Sequence, residues 1–345
     1  MTDRALVVPR SEGERVRRRL ADAGLIRTDL AIRADDREIA FPIARDAAVP
    51  AGLGREEERE FDPIVPAGPS DYRELLDWAP GPRSLLPRSF DVVGDLVIVR
   101  IPPELEDRGR EIGSALLRFV PGARQVGADH GVKGSARQRS LERIAGEGPW
   151  RTRHRENGID LEVDVERAYF SPRLAHEHER VASEVRAGER VYDLCCGVGP
   201  FAATIARDGR AARVTAVDSN PAAIELLRAT LRRLPHADRV EAREEDVGRF
   251  CAAAEPVERV ILNLPHEGIK YLPSVASVVA PGGRLYYYEV TPRTERERRG
   301  ETIVRSFERP QDWTVLPWHV VHPYSPASDL IVLEFDRTRK GDGRP

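Results

Sequence analysis

Four segments carry a polar side chain at or near an end that reads as a strand terminus: RVYDLCC with Asp193, RVTAVDS with Asp218, RVEAREED with Asp246 and ERVILN with Asn263. Gly197 and Gly199 follow the first of them, in DLCCGVGPF, and Asp218 lies 19 residues beyond Gly199. Glycines in a turn between a strand and a helix let a ligand approach the backbone closely. An acid at the end of the next strand is placed to accept both hydroxyls of a ribose. A dinucleotide site would add a third glycine near residue 202, where this chain has Phe201-Ala202-Ala203. A pyrophosphate would also need free amides at the helix start, and Pro200 removes one. An adenosyl ligand without a pyrophosphate fits better, and S-adenosylmethionine is the candidate. Asp193 would face its amino or sulfonium side, Asp218 with the adjacent Ser219 its ribose, and Asp246 with Val247 its adenine. Asp246 fits a helix N-cap equally well. Asn263-Leu264-Pro265-His266 could by itself be an ordinary turn, but after three such strand ends the amide falls where an acceptor substrate must lie.

These side chains need a scaffold of alternating strands and helices. The strands are RVYDLCC, RVTAVDS, RVEAREE, ERVILNL and GRLYYYEV, with helices between them such as PAAIELLRATLRRL, whose Ile224, Leu227, Leu231 and Leu234 form one stripe. Such alternation predicts a mainly parallel sheet covered on both faces. WTVLPWHVV and DLIVLEF have no helix between them, so the sheet is expected to close with an antiparallel hairpin. Upstream, ALVV reads as a strand, Ser11 and Glu14 as a capping box opening a helix, and AIRADDREIAFPI as two short strands. Residues 51–69, acidic and rich in Pro and Gly, read as a linker. SFDVVGDLVIVRIP then reads as strand with a bend at Gly94, ELEDRGREIGSALLRFV as a helix, and GPWRTRHRENGIDLEVDVE as a hairpin turning at Asn157-Gly158. The fold expected is α/β, a Rossmann-like domain over 169–345 preceded by two small α+β domains over 1–60 and 70–168. Ser171-Pro172 reads as an N-cap and first helical residue, which sets Arg173 and Glu177 four apart on one helix face, a spacing that also suits a surface ion pair.

Composition narrows the partners. A net charge of −3 gives no global basic field, so nucleic-acid contacts would need local patches. Residues 131–155 are one, with seven Lys/Arg against two Glu, although a solvated face would look the same. No run of about 18 apolar residues spans a membrane, and the N-terminus lacks a signal-peptide core, so the cytosol is expected. Cys195, Cys196 and Cys251 have neither metal-type spacing nor a disulfide framework. His176 and His178, two apart on a helix, cannot share a metal, and His319 and His322 are expected on opposite faces of a strand, so no metal is expected.

DLCCGVGPF, AVDSNP and ILNLPH resemble a class I methyltransferase acting on a planar amino or ring nitrogen. Together with AYFSPRLAHEHERVA, VHPYSPASDLIVLEF, DVVGDLVIV and KGSARQRSLERIAGE, they make nearly the whole chain resemble the archaeal and eukaryal tRNA (guanine-N1)-methyltransferase family, which modifies the guanosine just 3′ of the anticodon. The resemblance implies S-adenosylmethionine as cofactor, tRNA as partner and a monomer, with an N-terminal domain touching the tRNA elbow and a middle domain contacting RNA. It implies that Glu177 is the general base, that Arg137 and Asn263 stabilise charge on guanine O6, and that Tyr169, Arg173 and Pro265 also meet the substrate. His178 stands where the family has an Arg that helps hold the cofactor, and Cys195-Cys196 where it has Phe/Ala. The chemistry suits these types: N1 carries a proton that must leave as the methyl arrives, and burial of the base is expected to raise its pKa. Aminocarboxypropyl transfer in wybutosine biosynthesis uses the same donor, but that related family lacks the NLP motif. A nicotinamide dehydrogenase lacks support from the missing third glycine, and a non-catalytic RNA-binding protein is separated by whether methyl reaches tRNA.

Overall fold

The computed structural model describes residues 2–45, 47–50, 52–63, 68–133 and 138–339, and the chain divides into two compact units, 1–70 and 71–345. In the first, β1 (Thr2–Pro9) is followed by α1 (Gly13–Asp22), β2 (Arg33–Ala34), β3 (Glu38–Pro42) and β4 (Arg55–Glu60), and the sheet order is β2-β3-β1-β4. Val16 and Leu20 of α1 pack on Leu6, Val8 and Phe41 of the sheet. The capping box does not form: Ser11 lies in a 3-10 turn, α1 has no side-chain N-cap, and Glu14 pairs with Arg17 and Arg18. The stretch read as a linker contains β4, antiparallel to β1. Its sequence REEERE looks unlike a strand because β4 is an edge, where charge is tolerated and blunts edge-to-edge pairing; Glu56 pairs with Arg4 of β1.

The second unit opens with α2 (Pro80–Ser84), the hairpin β5 (Asp91–Val93) and β6 (Leu96–Val99), α3 (Gly109–Phe119), β7 (Gln125–Lys133) and β8 (Gln138–Gly146). These strands form a sheet in the order β5-β6-β7-β8, with Ile112 and Leu116 of α3 packed on Val97, Val99 and Val126. The hairpin β9 (Arg151–Glu156) and β10 (Ile159–Asp164) turns at Asn157-Gly158, whose φ values of 48° and 75° are those of a two-residue primed turn. Its Ile159, Leu161 and Val163 pack both on Val93, Leu96 and Ile98 and on Ala203, Ala223 and Leu226 of later helices. One apolar core therefore runs from the β5–β6 hairpin to the large sheet.

That sheet is built from α4 (Ala175–Glu184), β11 (Arg190–Leu194), α5 (Pro200–Arg207), β12 (Arg213–Asp218), α6 (Pro221–Leu231), β13 (Val240–Glu244), α7 (Val247–Ala253), β14 (Val257–Leu262), α8 (Leu272–Ser277), β15 (Val279–Pro292), α9 (Arg296–Val304), β16 (Trp313–Val315), β17 (His319–Pro323) and β18 (Ser328–Arg337). The order is β13-β12-β11-β14-β15-β18-β16, with β17 also on β18; β11 to β15 are parallel, and β18 is antiparallel to all its neighbours. WTVLPWHVV is thus two short strands rather than one, since Pro317 lacks the amide a ladder needs. Alternation along β15 separates two cores. Tyr286 and Tyr288 join α4, α5 and α6 on one face, and Tyr287 joins α7, α8 and α9 on the other.

Candidate active site

The carboxyl ends of β11, β12, β13 and β14 line up side by side, as the sequence predicts, and each contributes one polar group. Asp193 on β11 is fully buried. Its Oδ2 accepts the Ala202 amide of α5 at 3.1 Å, whereas its Oδ1 has no hydrogen-bond partner. Burial pushes its pKa up to about 7. A buried carboxylate oxygen left unpaired is costly, so the site lacks a donor that a cationic or hydrogen-bonding ligand would supply.

Asp218, at the end of β12, accepts the Gly197 amide (2.8 Å) on Oδ2 and the Asn220 amide (2.8 Å) on Oδ1, and burial raises its pKa. One backbone donor on each oxygen leaves acceptor capacity for hydroxyls. The two glycines have separate reasons. A Cβ on Gly197 would come to 3.3 Å from the Tyr169 carbonyl, so this turn packs against the segment YFSPR. Gly199 has φ 78° and a Cβ there would sit 2.4 Å from Leu227, so it serves the packing of α5 on α6. Asp246 is an N-cap, accepting the Gly248 (2.9 Å) and Arg249 (3.1 Å) amides on Oδ1, while its Oδ2 accepts the Tyr271 hydroxyl at 3.2 Å. Tyr271 therefore walls the place expected for an adenine, which no sequence pattern indicated. Ser219 is exposed, and the Val247 side chain is buried beside Phe250 and Cys251 in the core.

Asn263 is half-buried at the end of β14, its amide proton donated to the Leu194 carbonyl at 3.4 Å. Its side-chain amide makes no hydrogen bond among the described residues. The Pro265 carbonyl accepts the Val290 amide (3.1 Å), which fixes the loop, and His266 meets Tyr324 of the last hairpin, ring to ring at 5.4 Å and through a 3.2 Å hydrogen bond.

Glu177 lies on α4, only 5% exposed. Its Oε1 accepts the Tyr288 hydroxyl (2.7 Å) and Arg180 Nη2 (2.6 Å); its Oε2 accepts Arg180 Nε (3.0 Å) and faces His319 Nε2 at 3.1 Å. The expected upward pKa shift is corrected by this cluster. Burial does push upward, but the His319, Arg180 and Tyr288 hydrogen bonds outweigh it and hold the carboxyl at about 2. Arg173 does not pair with Glu177. It sits in a 3-10 turn, Pro172–Leu174, ahead of α4, Ser171 provides no side-chain cap, and its guanidinium binds Asp91 (2.9 Å). Arg180, at i+3 on the same helix, left a local signal that sequence reasoning missed; Tyr288 and His319 left none, because β15 and β17 bring them to Glu177 from distant sequence positions.

His178 turns inward, with Nδ1 2.7 Å from Glu156 Oε1 and its ring edge-on to Phe201 at 4.5 Å. Tyr169 is exposed, and the Arg139 guanidinium lies 6.0 Å from its ring. Arg139 is no solvated charge: it bonds Asp129 (2.9 Å) and the Phe170 carbonyl (3.1 Å). Arg143 lies over Trp150. Arg137 lies outside the described residues. No cluster of His, Cys, Asp and Glu able to hold a metal occurs among the described residues, and the three cysteines are free. Among the described residues, no helix is long and apolar enough to cross a membrane.

Residues 152–316 match a family described as the TRM5/TYW2 methyltransferase domain, residues 72–149 the TYW2 N-terminal domain, and residues 5–50 the tRNA methyltransferase 5 N-terminal domain. The chain is similar to the tRNA (guanine(37)-N(1))-methyltransferase Trm5b of Pyrococcus abyssi, 33% identical over 96% of this chain and 98% of that one. The Trm5b of Methanocaldococcus jannaschii is 30% identical over 97% and 99%. A solved complex of aTrm5 with tRNALeu superposes with a TM-score of 0.75 at 29% identity, covering 97% of this chain and 99% of that one.

Proposed function

The chain belongs to the tRNA (guanine(37)-N1)-methyltransferase family, and from that premise we propose how its own residues carry the reaction. The protein is an enzyme that transfers a methyl group to N1 of guanosine 37 in tRNA. We take S-adenosylmethionine as the donor; when bound, it supplies an electrophilic methyl on a sulfonium. The unpartnered Oδ1 of Asp193, at the head of a row of strand ends, is the observation that carries this reading. Asp193 receives the ammonium, the free acceptor capacity of Asp218 takes ribose hydroxyls with Ser219 beside it, and Asp246 with Tyr271 bounds the adenine. His178, engaged with Glu156, holds Phe201 and the start of α5 in place and makes no donor contact in this scheme.

On the acceptor side, Asn263 points an uncommitted amide donor from the end of β14, and with Arg137 it stabilises the negative charge that grows on O6 as N1 loses its proton. Glu177, ionised throughout the neutral range, is the general base that takes that proton. Tyr169, Arg173 and Pro265 bound the base and its phosphates. Incubation with an unmodified tRNA transcript and labelled donor, followed by nucleoside mass spectrometry, should yield N1-methylguanosine, and none when guanosine 37 is replaced by adenosine. An aminocarboxypropylated nucleoside, or no product, would overturn the reading.

A further inference from the structure

Tyr324 is 50% exposed, the most of any large apolar side chain among the described residues. It is nevertheless held in place. Its hydroxyl and His266 Nε2 form a hydrogen bond of 3.2 Å, and the two rings meet in a T-shape with centroids 5.4 Å apart. His266 directly follows Pro265 in the loop that leaves β14, so the tyrosine ring stands one residue beyond the group assigned to the target base.

Both backbones that carry these rings are pinned. In the β14 loop the Pro265 carbonyl accepts the Val290 amide (3.1 Å) and the Leu264 carbonyl accepts the Gly268 amide (2.8 Å). In the turn from β17 to β18 the Ser328 carbonyl accepts the amides of Tyr324 (3.0 Å) and Ser325 (2.9 Å). The Ser325 hydroxyl accepts the amides of Ala327 (3.3 Å) and Ser328 (3.1 Å). A ring fixed by its turn and by its own hydroxyl loses little freedom when something packs on it. Leaving so much of it in water forgoes the apolar burial that an aromatic side chain normally supplies.

The substrate presents a matching surface. Guanine N1 lies on the base-pairing edge, so a base held at the strand ends must leave the stack of its loop. Its departure strips one face of each neighbouring base of a stacking partner. Single-stranded RNA bases displaced in this way stack on aromatic side chains. We propose that Tyr324, braced by His266, is the platform on which a base adjacent to guanosine 37 stacks while guanosine 37 occupies the site. The proposal rests on the methyl-transfer reading and adds a second recognition element to it. Stacking accepts any base, because every base has a π-face, so this contact holds the loop open without reading the anticodon.

The test is a double-mutant cycle on tRNA affinity, measured by filter binding at constant salt with S-adenosylhomocysteine present. The full-length wild type, Tyr324→Ala and Tyr324→Phe are each titrated with an intact transcript and with transcripts carrying an abasic residue at position 36 or at position 38. Tyr324→Ala should bind the intact transcript about 5- to 150-fold more weakly. On the transcript that lacks the stacked base the same substitution should cost no more than about twofold, and which of the two abasic transcripts behaves so names the base. Tyr324→Phe, which keeps the ring, should bind close to the wild type. Wild-type affinity in Tyr324→Ala, an equal loss on all three transcripts, or a Tyr324→Phe protein as weak as Tyr324→Ala overturns the proposal. Formation of N1-methylguanosine by the wild type on the intact transcript is measured alongside. If that product forms and the cycle shows no coupling, only the platform is refuted; if it does not form, the methyl-transfer reading fails and the platform with it.

Discussion

Asp193 has one oxygen bonded and one bare, and it is buried completely. Its raised pKa, about 7, has a definite sign. A carboxyl raised in the fold resists ionisation, so the cost of carrying it charged appears above its ordinary value and grows as pH rises towards 7. A cationic ammonium reverses this by favouring the charged form. Binding of S-adenosylhomocysteine should therefore release a proton below pH 7, and affinity should rise by up to about tenfold per pH unit until it levels near 7. Calorimetry in buffers of different ionisation enthalpy measures the proton, and Asp193→Asn should abolish both the release and the slope. An affinity independent of pH from 5 to 7 would mean that the carboxylate meets no charge on the ligand. The contrast with Glu177 is instructive, since both are buried acids. Four hydrogen bonds hold Glu177 at about 2, and one hydrogen bond leaves Asp193 near 7. Partners, not burial alone, decide the direction.

At the scale of elements, the turn from β11 to α5 is where packing and ligand demands meet. Cys195 takes φ 61°, Gly197 φ 56° and Gly199 φ 78°, so the chain is left-handed three times within five residues. Gly199 also leaves room for the Leu227 side chain of α6, which a Cβ would approach to 2.4 Å. Gly199→Ala should therefore cost about 2–4 kcal/mol, combining a positive φ with overpacking, read as a lower midpoint in urea. Unchanged stability with weakened S-adenosylhomocysteine binding would instead assign this glycine to ligand approach. The β9–β10 hairpin is the other pivotal element, because its apolar face contacts both the β5–β6 hairpin and the helices α5 and α6. Glu156 on β9, bonded to His178 of α4, adds a polar tie at the same place.

For the whole molecule, the net charge of −3 means that tRNA must be met by local groups. Many arginines are already paired, as Arg17 and Arg18 are with Glu14 and Arg155 is with Asp160. Few phosphates can then be neutralised, and tRNA affinity should fall on the order of 10- to 100-fold between 50 and 200 mM salt, less than for a strongly basic protein. Removing residues 1–70, a compact unit with its own core, should weaken tRNA binding and leave S-adenosylhomocysteine binding unchanged. Filter binding across a salt series measures the first and calorimetry the second. Full tRNA affinity in the truncated protein would assign the first unit another task.

Periodicity and spacing by themselves determined the alternating sheet, the hairpin at Asn157-Gly158, and the row of Asp193, Asp218, Asp246 and Asn263, because each depends on residues close in sequence and on the topology of parallel strands. The same local reasoning failed at β4, where an edge position made an all-charged strand acceptable, and at Ser11 and Ser171, whose capping signatures gave way to 3-10 turns. It also separated residues that belong together. His319 and Glu177 are far apart in the chain, and only the insertion of β18 between β15 and β17 brings Tyr288 and His319 to the same level above α4. Residue type named Glu177 as an acid in a helix; the tertiary structure decided its protonation, because a carboxyl's pKa is set by the donors that surround it and those donors come from three elements.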